Sequence, residues 1–105
     1  MDKTDALNIA QKYANAVKEN YKYIKIILFG SYTKGNYNDD SDIDIAVIFK
    51  DYSNLMDMQL ELMRLRRKID SRIEPHSFRE SEFELSNPIV NEIIKYGQEI
   101  KINAD

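Results

Sequence analysis

Two short apolar runs, 24–29 (IKIILF) and 43–49 (IDIAVIF), are rich in β-branched residues and have the length of buried strands. Gly30 ends the first run, and a polar segment separates it from the second. These runs predict two strands joined by a long polar connection.

The rest of the chain alternates between helical spacing and short extended runs. Pro75 cannot donate a hydrogen bond to a neighbouring strand, so the strand that contains it should lie at an edge of the sheet or have one free side. The order α-β-β-α-β-α predicts an α/β (α+β) fold, a mixed sheet with helices packed mainly on one face. The further predicted elements are a helix over 5–20 capped by Thr4, a helix over 54–70, a strand over 72–78, a helix that opens at Asn87-Pro88 and is closed by Gly97, and a strand over 100–102.

Composition narrows the class of protein. The chain has 105 residues, a net charge of -3 and no cysteine. This length predicts a single domain over 1–105, and the lack of cysteine excludes disulfides and thiolate metal sites and fits a reducing cytoplasm. Stable binding to nucleic acid is not expected of an acidic chain. No apolar run is long enough to cross a membrane.

Asp42 and Asp44 stand where the second apolar run begins. Side chains alternate along a strand, so the two carboxylates share a face, with their Cα atoms about 6.6 Å apart. At that spacing they repel by roughly 3 kcal/mol at an effective dielectric constant of 20. A divalent cation reverses the sign of this interaction, and oxygen ligands suit Mg²⁺. The pair therefore predicts a metal site.

Gly30-Ser31 adds a second half to this site. Glycine allows a ligand to approach the backbone closely, and serine offers a hydroxyl group and an N–H group. A short helix from Ser31 through about Lys34 would present free N–H groups to an anion. Phosphate at Gly30-Ser31 and Mg²⁺ at Asp42 and Asp44 would together hold a nucleoside triphosphate.

The arrangement of strand, Gly-Ser, ten residues, Asp-x-Asp and strand resembles the nucleotidyltransferase superfamily of DNA polymerase β. It is most similar to the minimal nucleotidyltransferases (MNT), the antitoxins that pair with HEPN-domain toxins. Gly30 and Ser31 match the Gly-Ser of the family, Asp42 and Asp44 match its metal ligands, and Gly35 and Ser41 look like family positions. The resemblance implies a polymerase β-like fold. It also implies transfer of a nucleoside monophosphate from an NTP to a hydroxyl group, with two Mg²⁺ ions and release of pyrophosphate.

A third carboxylate on a later strand belongs to the family pattern, and Glu74 is the candidate here. Alternation places Glu74 opposite to Ile73 and Pro75. Asp70 is the second choice, at a helix end. Arg72 and Ser41 are weaker candidates, both for binding nucleotide phosphate. His76, two residues after Glu74, is interpreted as structural or merely near the site.

Three functions are consistent with these residues. The first is an antitoxin enzyme that transfers AMP from ATP, or another NMP from its NTP, to a HEPN-domain toxin. The second is an antitoxin that neutralises its partner by binding alone. The third is a nucleotidyltransferase for small molecules, which the short chain disfavours because larger relatives use an added helical domain to bind the acceptor.

Overall fold

A four-stranded sheet organises residues 1–102, the part of the chain that the computed structural model describes. Its order is β3-β2-β1-β4. β1 pairs antiparallel with both β2 and β4, whereas β2 and β3 are parallel, so the sheet is mixed as predicted. The strands are β1 (Lys25–Phe29), β2 (Ile43–Phe49), β3 (Ile73–Arg79) and β4 (Gln98–Glu99).

Four helices connect and cover the strands, and the predicted order of elements is confirmed. The two longest, α1 and α3, pack on one face of the sheet, and α4 packs on the other. The helices are α1 (Lys3–Asn20), α2 (Ser31–Lys34), α3 (Leu55–Arg66) and α4 (Pro88–Tyr96), with a short 3-10 turn at Glu80–Glu82. None of the described helices is long and apolar enough to cross a bilayer.

The alternation of side chains divides the core in two. Ile26, Leu28 and Ile45 point toward α1 and α3, where Tyr13 and Leu62 complete the larger cluster. Tyr13 joins the two helices directly, because its buried hydroxyl group donates to the Leu62 carbonyl oxygen at 2.7 Å. The smaller cluster lies on the α4 face and contains Ile27, Phe29, Ala46, Ile48 and Ile93.

Three predicted boundaries were wrong. Asp2, not Thr4, caps α1, because the Asp2 and Asp5 side chains each accept from the other's backbone N–H and form a reciprocal box. The helix predicted over 54–70 ends at Arg66, whose guanidinium donates to carbonyl groups of the turn and strand that follow. The last strand is Gln98–Glu99 rather than 100–102.

The outer edge of β3 is closed by side chains. The Gln59 amide, from α3, donates to the Pro75 carbonyl oxygen at 2.6 Å and accepts from the Ser77 N–H at 3.3 Å. Pro75 has no N–H to leave unpaired. The edge position predicted for this strand is confirmed, and Gln59 occupies the place that a fifth strand would otherwise take.

Candidate active site

The carboxylates singled out by the sequence gather where β2 and β3 begin. Asp44 and Glu74 are directly opposite one another across the parallel pair. Ile43 and Ile73, next to them, are fully buried on the α1 side, so Asp44 and Glu74 both face the α4 side. Asp42 is exposed and immediately precedes β2. Glu74 faces opposite to Ile73, as alternation predicted, and the sheet register places it beside Asp44.

Gly30 connects β1 to α2 in a conformation that favours glycine, with φ +83°. A Cβ atom at this position would collide with the Asp44 carboxylate. The carbonyl oxygen of Gly30 accepts from the Thr33 and Lys34 N–H groups, which winds the predicted helical turn from Ser31 to Lys34. Glycine is therefore required both by the turn and by the carboxylate beside it.

A cleft of about 310 Å³ opens beside this turn. Its polar lining suits a charged ligand better than an apolar one. We call it the carboxylate cleft, and define it by its lining residues: Phe29, Gly30, Ser31, Lys34, Asn36, Asp44, His76, Ile89 and Glu92. A larger groove of about 700 Å³ lies at the end of α1 and contains a single carboxylate, Glu99, so it offers no comparable acidic pair.

His76 lies on the floor of the carboxylate cleft. Its Nε2 atom is 3.2 Å from Asp44 Oδ1, and its ring packs edge-on against Phe29 with centroids 5.1 Å apart. Sequence reasoning assigned His76 a structural or neighbouring position. Alternation along β3 puts His76 on the same face as Glu74, but only the register of β2 and β3 brings the ring to Asp44.

Lys34 and Glu92 form one wall of the cleft. Lys34 Nζ lies 2.7 Å from Glu92 Oε1 and 5.6 Å from the centre of the Tyr96 ring. The hydrogen bond to Glu92 is the main cause that raises the pKa of Lys34. Glu92 was not recognised in the sequence, because it reaches the site only when α4 folds back over the sheet.

Two of the predicted residues are engaged elsewhere. Ser41 accepts a hydrogen bond from the Asn38 N–H at 2.9 Å, within the loop that leads to β2. Arg72 makes a two-pronged ion pair with Asp70, and this pair lowers the pKa of Asp70. The groove beside Arg72 is shared with residues of α1 rather than with the carboxylate cleft. The nucleotide-binding roles of Ser41 and Arg72 stay predictions.

The chemistry of the donor set fits Mg²⁺, since Asp42, Asp44 and Glu74 offer only oxygen ligands. Asp44 and Glu74 are paired across neighbouring strands and face the same side. Within residues 1–102, no three acidic or histidine side chains converge closely enough to form a finished metal cluster. The backbone thus places Asp44 and Glu74 next to each other at the start of β2 and β3, with Asp42 just before β2.

Comparison with known proteins identifies the family. The profile of the family described as polymerase beta, nucleotidyltransferase, matches residues 11–104. The chain belongs to this family. It is a nucleotidyltransferase with a polymerase β-like fold.

Individual members of the nucleotidyltransferase family show the same similarity. A Methanocaldococcus jannaschii protein, provisionally named a protein adenylyltransferase, is 29% identical over 82 residues, 75% of this chain and 80% of that protein. A variant of the MntA–HepT toxin–antitoxin complex superposes with a TM-score of 0.65 and 26% identity, covering 88% of this chain and 71% of the other. The complex of an MNT antitoxin with the tri-AMPylated HEPN toxin of Shewanella oneidensis superposes with a TM-score of 0.63 and 23% identity. The match covers 96% of this chain and 73% of the other.

Proposed function

We propose that this chain transfers AMP from ATP to a hydroxyl group of a HEPN-domain protein and acts as the antitoxin of that pair. The observation that carries the proposal is the contact of Gly30 with Asp44, opposite Glu74. This contact places the Gly30-Ser31 turn, which a phosphate can approach closely, next to the carboxylates at the start of β2 and β3. The relatives named as protein adenylyltransferases and the MNT complexes support the choice of a protein acceptor.

The chemistry would be divided between the residues that line the carboxylate cleft and the neighbouring Asp42 and Glu74, which are not among its lining residues. Gly30 leaves the backbone bare beside the phosphates, and the hydroxyl and N–H groups of Ser31 would donate to them. Lys34 would leave its ion pair with Glu92 and bind the triphosphate, because the triphosphate carries more negative charge than one carboxylate. Asp42, Asp44 and Glu74 would hold two Mg²⁺ ions, which when bound neutralise charge on the triphosphate and on the departing pyrophosphate.

The reaction itself needs position and charge rather than a covalent enzyme intermediate. The acceptor oxygen forms a bond to the α-phosphorus, and the bond from that phosphorus to the bridging oxygen of pyrophosphate breaks. The hydroxyl proton leaves the acceptor. Glu74 is the candidate to receive it, because its carboxylate faces the same side as Asp44 on the edge strand.

The test is the mass of the partner. The chain is incubated with its HEPN-domain partner, ATP and Mg²⁺, and the intact mass of the partner is measured. We expect an increase by one AMP or a whole multiple. Asp42→Asn/Asp44→Asn should abolish it, and Glu74→Gln should slow it about 10²–10³-fold, the size of effect seen when one preorganised group that stabilises the transition state is removed.

Asp39→Asn/Asp40→Asn is the matched control, because it removes the same charge from the neighbouring exposed loop. It should transfer AMP like the parent. Protection of cells that express the toxin is scored in parallel. If the Asp42/Asp44 variant stays folded, leaves the partner unmodified and still protects, neutralisation occurs by binding alone and the enzymatic role is wrong.

A further inference from the structure

The two oxygens of the Asp44 carboxylate have different surroundings. Oδ1 lies 3.2 Å from His76 Nε2. Oδ2 occupies the space that a Cβ atom on residue 30 would fill. The carboxylate thus lies between the ring on β3 and the backbone of Gly30, which has room for it because residue 30 carries no Cβ atom. Rotation about the Cβ–Cγ bond of Asp44 would break the hydrogen bond to His76.

The His76 ring is itself fixed. It lies on β3, one pleat along from Glu74, and opposite Ala46 of β2, whose small side chain leaves room for it. Phe29 packs against it edge-to-face. Because a carboxylate oxygen accepts, Nε2 is the donor in the bond to Asp44. Among the described residues, Asp44 is the one hydrogen-bond partner of this ring.

We propose that His76 is a positioning residue for Asp44. It holds the carboxylate in the orientation that presents it to a divalent cation at the mouth of the cleft. This inference rests on the proposed function, since it assigns a role toward the Mg²⁺–nucleotide. Donors that orient a metal-ligating group from behind are worth about 10–100-fold in metal affinity when removed.

A competing role for His76 predicts the opposite change in cation affinity. If His76 merely occupied Asp44 Oδ1 until a cation displaced it, removing the donor would free that oxygen and tighten cation binding. If His76 were only a packing residue, a side chain of similar shape would restore all properties. The two substitutions His76→Phe and His76→Gln separate these cases. Phe keeps an aromatic ring against Phe29 and has no donor, whereas Gln keeps an N–H donor and has no ring.

The experiment measures Mn²⁺ binding, by the loss of the free-ion electron paramagnetic resonance signal, in the presence of a non-hydrolysable ATP analogue. We expect His76→Phe to raise the Kd for Mn²⁺ about 10–100-fold, and His76→Gln to recover most of that loss. Binding of the analogue without metal should stay unchanged in both. Circular dichroism and thermal unfolding establish that each variant is folded, and His76→Leu is the second donorless variant if His76→Phe is not.

The outcomes are separable. A parent chain that binds no Mn²⁺ with the nucleotide overturns the proposed function and this inference together. A parent that binds Mn²⁺, beside a folded donorless variant that binds it equally or more tightly, overturns the role of His76 and leaves the proposed function standing. A loss of Mn²⁺ affinity in His76→Phe that His76→Gln does not recover means that the N–H donor is not what Asp44 needs, and it likewise overturns the role of His76.

Discussion

Gly30 and Gly35 flank the α2 turn and form a matched pair. Both have positive φ, +83° and +86°. A Cβ atom at residue 30 would collide with the Asp44 carboxylate, whereas one at residue 35 would meet nothing within 4 Å. Comparing the same substitution at the two glycines therefore separates the effect of backbone strain from the effect of filling the space beside Asp44.

We expect Gly35→Ala to lower the free energy of unfolding by about 1–2 kcal/mol, the strain of a left-handed alanine, and to keep nucleotide binding. Gly30→Ala should lose at least as much stability and also lose binding of Mg²⁺–ATP, because Asp44 must move. Denaturant unfolding and calorimetric titration with Mg²⁺–ATP measure the two effects. Equal nucleotide affinity in both variants would show that the space beside Asp44 is irrelevant to binding.

At this scale the sequence predicted the candidate ligands but not their contacts. Asp44 lies at the head of β2 with Asp42 just before it, and Glu74, chosen from the family resemblance, is paired with Asp44 across β2 and β3. The bonds of Asp44 to His76 and of Lys34 to Glu92 span 32 and 58 residues along the chain. Such contacts depend on strand register and helix docking, which no local pattern encodes.

Among the elements, the edge strand β3 depends on α3 for the pairing of its backbone. Replacing Gln59 by Ala would leave the Pro75 carbonyl and the Ser77 N–H without their described partner. We expect the free energy of unfolding to fall by about 1–2 kcal/mol and the chain to self-associate through the bared edge. Denaturant unfolding and light scattering measure these.

Gln11→Ala is the control, since Gln11 makes only a 3.5 Å contact with Asn15 on the surface of α1. It should unfold and scatter light like the parent. A Gln59→Ala chain that is as stable and as monodisperse as Gln11→Ala would mean that the edge needs no cover.

Apolar periodicity predicted the elements well and their ends less well. β2 was predicted at its observed bounds because all of its seven residues except Asp44 are apolar. The cap of α1 was misplaced because Asp2 and Thr4 are both good capping residues, and the choice falls to the pairing of Asp2 with Asp5. β4 is only Gln98–Glu99, and it is set by pairing with Ile27 and Leu28 rather than by its own composition.

Across the whole molecule, Tyr13 ties α1 to α3 through its bond to the Leu62 carbonyl. Burial raises the pKa of Tyr13 well above the usual tyrosine range, with Arg66 opposing in part. A raised folded pKa contributes stability that is fully present below the unfolded pKa of about 10 and is lost as the pH rises above it. The unfolded chain then releases a proton that the folded chain keeps.

We therefore expect the free energy of unfolding to decrease between about pH 8 and about pH 11. Tyr13→Phe should lower stability by about 1 kcal/mol at the lower pH and make the decrease shallower. It should not remove the decrease, because burial also raises the pKa of Tyr21, Tyr23 and Tyr32. Tyr96→Phe, at an exposed ring, serves as the comparison. A Tyr13→Phe chain with the full slope of the parent would contradict the assignment.

The size of the carboxylate cleft bears on how the base of a bound nucleotide is selected. At about 310 Å³, its volume is at the low end of the range for ligand sites. Gly30, Asp44 and Lys34 line it, and they suit phosphate groups better than an aromatic base. A nucleoside triphosphate would be gripped at its phosphates, with its base left largely in solvent. Under the proposed function, discrimination between adenine and guanine would then fall to the protein that supplies the acceptor hydroxyl group.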